Sequence, residues 1–469
     1  MTAMAAHELK EYEGLINRLS QVVKLSDAFP DQMSDEGLEG ILHFLPSNLA
    51  GSMRAFLAPR IRDVSIEILK TYGAWLDSAF RAGEEGKKVF LIPFNFPPEV
   101  IHCFEGAWPV TSEVLSTLGV ASLEGQGERY WDYAMGLGLP DSACSANMIE
   151  VGSALTAVDF KPDVIISDCL GSCDINSKTH EFLARYMDIP LLFLEKTVDN
   201  SERGINQYYL YFKTLVEEVE EFLGEKLDEE RMREVIGNAN RASELYWELW
   251  DLHKYSPCPV PNIFSLFLYG IRYTMWGTED AVKAIEAMVD KCSERLKKGE
   301  YPAEMEVARA IWSYTSYYFD MAGFFNWMEE HGITHLGDGL DLFFPQVIDT
   351  TSRETMIRGL AEIARNMPMT RQMGASSMSV QWLDDIIWAT RELDADCVIY
   401  CGHHSCKQTW SGASVMRSEL MKRTKIPTLI LQGDSWIGRM TPMSALQETI
   451  EEFVNNVVKQ RRTTVRAVG

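Results

Sequence analysis

The chain is 469 residues long, with 46% hydrophobic, 11% aromatic and 24% charged residues. This is the make-up of an ordinary folded protein with mass for roughly two to four domains, which excludes disorder and a single small module. Lys and Arg number 44 against 68 Asp and Glu, so the net charge is −24, a sign that repels phosphate backbones and anionic bilayers and argues against nucleic-acid or membrane partners.

The amino-terminal MTAMAAHELKEYEG has neither a basic n-region nor an apolar h-region, so a cytoplasmic chain is expected. The longest apolar stretch, around Ile263 to Ile271, falls short of the roughly 20 residues that a bilayer span needs. Residues 1–83 read as a helical cap, with apolar positions at helical spacing in LKEYEGLINRLSQVV and SIEILKTYGAWLDSAF. A first α/β domain is expected over 84–205, opening on the buried strand Val89 to Ile92 and continuing with PDVIISD (162–168), a helix holding HEFLARYM, and IPLLFLE (189–195). Residues 206–305 form a helical segment in which Asp228 is placed to cap a helix and SPCPVPN (256–262) is a break. A second α/β domain spans 306–469, from VARAIWSY to the strands CVIYCG (397–402) and PTLILQG (427–433), with a helix over 413–423 between them. The fold class is therefore α/β, with two Rossmann- or flavodoxin-like parallel-sheet domains.

Open α/β sheets bind ligands beyond the carboxyl ends of their strands. Cys173 follows the strand VIISD in DCLGSCDINSK, and Cys406 follows VIYCG in GHHSCKQTWSG, each in a Gly- and Ser-containing loop able to stabilise an anion. Cys144 precedes the helix-like NMIEVGSAL. Three thiolates can thus converge from two domains. Of the nine cysteines, Cys103, Cys258, Cys292 and Cys397 read as packing, whereas Cys169 and Cys401 sit at strand ends near the site and spacing does not exclude them. His331 and His335 are four apart, but Gly332 between them argues against a helical two-His metal site.

The segments NFPPEVIHCFEGAWPV, SACSANMIEVGSAL, DVIISDCLGSCDINSKTHEFLARYMDIPLLFLE and VIYCGHHSCKQTWSGASVMRSELMKRTKIPTLILQGD occur in that order. Together they resemble the ordered blocks of the 2-hydroxyacyl-CoA dehydratase and benzoyl-CoA reductase family, from about residue 85 to the carboxyl end. The resemblance implies that Cys144, Cys173 and Cys406 hold one [4Fe-4S] cluster in a cleft between two α/β domains, leaving one iron open to substrate. It implies an acyl-CoA thioester substrate, a smaller homologous cluster-bearing subunit, an ATP-hydrolysing iron-sulfur activator and a ferredoxin-type donor upstream. The chain has no GxxxxGK[ST] loop, in keeping with the recipient role rather than the activator's.

Glu99 matches the acidic residue of the family's Pro-x-Glu block and is either an acid or base at the substrate or a first-turn glutamate favouring a helix terminus. His403 and His404, shortly before Cys406, could donate a hydrogen bond to the cluster or a proton to substrate, or sit exposed in the loop. Lys407 could attract the CoA phosphates or lie on the surface. Because the chain is long for the family and its tail reads GDSWIGRMTPMSALQETIEEF, the expectation is a benzoyl-CoA-reductase-like large subunit that dearomatises an aryl-CoA. A radical (R)-2-hydroxyacyl-CoA dehydratase is the alternative, and a non-catalytic electron relay is a third.

Overall fold

The computed structural model describes residues 33–45, 47–123, 125–156, 161–168, 173, 175–197, 199–372 and 380–461. The expected helix over LKEYEGLINRLSQVV lies outside the described residues, as does Cys169. Two four-stranded sheets organise the chain, and every pairing in both is parallel. The first contains β1 (Lys88–Ile92), β2 (Ala107–Thr111), β3 (Val164–Asp168) and β4 (Leu191–Leu194), in the order β2-β1-β3-β4. The second contains β5 (Ala308–Trp312), β6 (Ile333–His335), β7 (Cys397–Tyr400) and β8 (Thr428–Ile430), in the order β6-β5-β7-β8. Each order is the start of the flavodoxin-like 2-1-3-4 winding, so each sheet reverses direction between its two central strands. Among the central strands, β3, β5 and β7 are buried at every position, as covering helices on both faces require.

Most strands fall where the apolar runs place them, but β2 and β6 escape the sequence reading. AWPVT carries Pro109, which cannot donate to a ladder on both sides; β2 accommodates it by standing at the sheet edge with β1 as its single neighbour. The three-residue β6 is also an edge strand and too short to show a period.

Between the sheets run four helices, Glu202–Leu223, Glu229–His253, Phe264–Thr274 and Glu279–Lys298. Their ends follow local chemistry. Ser201 and Asp228 accept N–H bonds from Gly204 and Arg231 at the starts, and Gly224 and Gly299 close two of the helices with left-handed backbone. The helix Phe264–Thr274 is apolar nearly all round and is buried over all but one residue, so it works as an internal strut rather than a surface helix. No helix among the described residues is long and apolar enough to cross a membrane.

Two close approaches set the geometry around the strand ends. Gly152, in the helix Ser145–Thr156, lets that helix contact the helix Gly127–Gly136: a Cβ there would lie 2.2 Å from the Tyr130 carbonyl oxygen. Gly402, just past β7, has φ +67°, and a Cβ would sit 1.9 Å from the Leu431 carbonyl oxygen. It brings His403 into a parallel bridge with Gly433, which prolongs the β7–β8 pairing into the loop. Gly402→Ala should therefore cost about 1–2 kcal/mol for the backbone alone, plus the displacement of the neighbouring strand. A denaturant midpoint unchanged from wild type would refute this reading of the turn.

Candidate functional site

The two sheets present their reversal points to a common pocket. Phe94 follows β1 and Cys173 follows β3; Tyr314 follows β5 and Cys406 follows β7; all four line the same cavity. Tyr269, Leu340 and Trp436 add to its lining. Cys144 completes the trio from the residue before the helix Ser145–Thr156. Cys406 stands at the start of the helix Lys407–Thr424, which begins well before the expected 413. Thr409, Ser411 and Gly412 in its first turns are weak helix formers, and the helix end they extend to is the one that presents the sulfur.

The structure thus gathers Cys144, Cys173 and Cys406 at one pocket, all half-buried. Burial first, and then the proximity of the Cys173 and Cys406 thiolates, pushes the Cys144 thiol well above the ordinary range. The same thiolates, after burial, push up the phenol of Tyr314. A soft set of three sulfurs at one pocket suits a thiophilic metal or an iron-sulfur core.

The other described cysteines do not line this cavity. Cys401 is fully buried and bonded to the hydroxyls of Thr315 (3.1 Å) and Ser435 (3.3 Å). Cys103, Cys258, Cys292 and Cys397 are buried, and the first three are raised to about 12, about 12 and higher still, chiefly by desolvation.

His403 is buried against the site. Its Nε2 lies 3.3 Å from the Cys144 sulfur, and its Nδ1 lies 3.1 Å from Asp434 Oδ2. Asp434, which the sequence reading did not single out, accepts from Ser145 Oγ at 2.6 Å and from the backbone N–H groups of Trp436 (2.9 Å) and Ile437 (3.2 Å). Burial alone would raise its carboxyl, but the His403 imidazole and these donors hold it below the usual range. His404 and Lys407, by contrast, are exposed and do not line the cavity. Nor does Glu99. It is buried in a two-pronged contact with Arg272 Nη1, 3.1 Å to each oxygen, and that guanidinium also stands over the ring of Trp276. Of the alternatives open for these three, the structure places Glu99 in an internal ion pair away from the cavity and His404 and Lys407 at the surface.

The pocket has a different carboxylate. Glu113 follows the overlooked edge strand β2 and lines the cavity beside Tyr269 and the cysteines. Its Oε2 accepts from the Phe94 N–H (2.9 Å) and the Ser112 hydroxyl (2.8 Å), and its Oε1 accepts from Asn176 Nδ2.

A model of the family described as 2-hydroxyglutaryl-CoA dehydratase, D-component, matches residues 93–457. The chain belongs to that family. Among curated relatives, it is 24% identical over 280 residues to the (R)-2-hydroxyglutaryl-CoA dehydratase alpha subunit of Acidaminococcus fermentans, covering 58% of this chain and 56% of the relative. It is 24% identical over 233 residues to the (R)-phenyllactyl-CoA dehydratase alpha subunit of Clostridium sporogenes (47% and 56%), and 25% identical over 233 residues to the (R)-2-hydroxyisocaproyl-CoA dehydratase alpha subunit of Clostridioides difficile (48% and 56%). The chain therefore spans about half the length of each of these relatives.

In this member of the D-component family, Glu113 is pushed up to about 7, by burial first and by the neighbouring Glu150 second, against the opposing pull of His180. A carboxyl raised in the folded state adds stability that is complete below its unfolded value and is lost as pH rises through its folded value. Wild-type protein should accordingly lose stability between about pH 4.5 and pH 7 relative to Glu113→Gln, which lacks the group. Parallel stability-against-pH curves for the two proteins would disprove the shift. Asp434→Ala should cost about 3–5 kcal/mol, because it leaves His403, Ser145 and two amides without their buried acceptor. Chemical unfolding of the two proteins side by side measures that loss.

Proposed function

We propose that the chain is the cluster-bearing subunit of a radical 2-hydroxyacyl-CoA dehydratase, with Cys144, Cys173 and Cys406 holding one [4Fe-4S] cluster. The convergence of these three thiols from both sheets onto a single pocket that also holds the buried carboxyl of Glu113 carries this reading. The dehydratase takes precedence over the aryl-CoA reductase because the three relatives are dehydratase alpha subunits, and because elimination of water requires a group that takes and returns a proton. A pure electron relay has no use for a buried carboxyl and a ring of aromatic side chains beside the cysteines.

When bound, the cluster would supply single electrons at low potential and an iron corner free of protein sulfur. The chain's own residues then divide the work. His403, buttressed by Asp434, holds the Cys144 sulfur from behind. Phe94, Tyr269, Tyr314 and Trp436 wall the pocket, exclude water and suit an apolar or aromatic acyl group. Glu113 stands where it can take the proton that the substrate releases beside the departing hydroxyl. The same reading brings a homologous partner subunit and an ATP-hydrolysing activator as the source of electrons.

Protein purified anaerobically should contain iron and sulfide, and Cys173→Ser should lose most of both. With activator and ATP, a panel of 2-hydroxyacyl-CoA and aryl-CoA esters should give water loss from the former. Ring reduction of an aryl-CoA would return the assignment to the reductase, and iron-free protein would end it.

A further inference from the structure

Behind Glu113 lies a group of side chains that the proposed reaction has not used. Glu150, in the helix Ser145–Thr156, and His180, in the helix Asn176–Met187, join Glu113 so that one ligand atom from each lies within 4.8 Å of the others, and all three are buried. His180 Nε2 is 3.0 Å from Glu150 Oε1 and 3.4 Å from the Ser112 hydroxyl, which itself donates to Glu113. Asn147 Nδ2 donates to the other oxygen of Glu150 at 3.0 Å. Of the three, Glu113 alone lines the pocket; the other two stand in the protein interior with no opening of their own to that cavity.

Two carboxylates and one imidazole in a dry interior do not hold two negative charges without compensation. Either a divalent cation or a proton supplies it. The donors decide between them: Glu113 already accepts three hydrogen bonds, from Phe94, Ser112 and Asn176, which occupy most of the lone pairs a metal would need. We propose that Glu113, Glu150 and His180 form one proton store behind the pocket, through which Glu113 exchanges protons with the bound acyl-CoA. This inference rests on the dehydration reading. In that reaction a C–O bond and one Cβ–H bond of the substrate break, and a C=C bond and one O–H bond of water form. The elimination is redox-neutral overall and releases no net proton. Glu113 receives the β-proton, His180 and Glu150 share it, and Glu113 returns it to the departing hydroxide.

Groups facing the store from other elements do not disturb this balance. Asp168, at the end of β3, faces His180 but is paired with Lys196 Nζ at 3.0 Å, and Tyr269 faces Glu113 as a neutral phenol whose ionisation burial strongly opposes. Burial depresses the His180 imidazolium, but Glu150 and then Glu113 more than offset that, so its affinity for a proton rises above the ordinary value.

The test is infrared spectroscopy of the full chain in the carboxylic-acid carbonyl region, read as wild type minus Glu113→Gln, since other buried carboxyls absorb there too. The difference should contain a protonated-carboxyl band at pH 7 that shifts in D₂O and fades as pH rises through neutrality. In His180→Gln the fading should move upward by about one pH unit, because a cation favouring ionisation is gone. In the holoenzyme the rise of kcat/KM for water loss with pH should move by the same amount at unchanged iron content. A difference spectrum without the band overturns the proposal. So does one divalent ion per chain that survives dialysis and is lost in Glu150→Gln or His180→Gln. Iron and water loss without the band refute the store alone; the band without iron or water loss refutes the dehydratase reading and, with it, the store's catalytic role.

Discussion

The site depends on one buried carboxylate. Asp434 lies past β8, in the loop that follows the last strand of the second sheet, yet it accepts a hydrogen bond from Ser145, next to Cys144 in the first half of the chain. Its other oxygen meets His403, three residues before Cys406. One side chain therefore fixes the spacing between two of the three sulfurs, and the contacts around it close the same seam. Ser145 N–H donates to Ser405 Oγ at 3.1 Å, and Ser122 Oγ donates to the Tyr318 carbonyl. The rings of Tyr318 and Trp436 stack with centroids 4.3 Å apart, and Arg439 reaches from the same loop to Glu128 and Asp132. The last two pairs are exposed and worth little individually, whereas Asp434 is fully desolvated and cannot lose one partner without stranding the rest.

That seam has a purpose because the two halves repeat one plan. Each winds its sheet in the same order, and each places its reversal point at the cavity. A site between two such sheets draws loops from four strand ends, so it can assemble sulfur ligands far apart in sequence without any dense cysteine motif. This is why spacing alone carries so little information here: the three cysteines are neighbours through topology, not through local repeats.

What the sequence reveals follows the strength of local signals. β1, β3, β5 and β7 are legible because strands buried on both faces must be runs of apolar residues, and the helix starts at Asp228 and beside Cys144 follow from capping and loop chemistry. β2 is not legible, since Pro109 masks it, and with β2 went Glu113, whose position depends on where that strand ends. Asp434 lies in the tail segment GDSW, and nothing in that segment announces that its carboxylate crosses to the other half. Glu99 shows the opposite case. A glutamate after a strand in a family block invites a catalytic role, but Arg272 stands 173 positions along the chain, and no local pattern connects the two.

The charges around the cavity explain why both halves contribute a histidine. Cys144, Cys173, Cys406, Glu113, Glu150 and Asp434 are all potential anions in or beside one space, and among the described residues no Lys or Arg lines it. A mobile cation would screen them all alike and orient none. Instead each carboxylate deep in the wall has its own imidazole: Asp434 holds His403, and Glu150 holds His180. The first imidazole faces a sulfur and the second faces the hydroxyl that feeds Glu113. Under the proposed chemistry, these matched pairs keep electron handling on the sulfur side of the pocket and proton handling on the carboxylate side. A reaction that moves one electron in and out while moving one proton from carbon to oxygen needs that separation, because a proton lost to the sulfur side would cost a cluster ligand, whereas on the carboxylate side it is held for return.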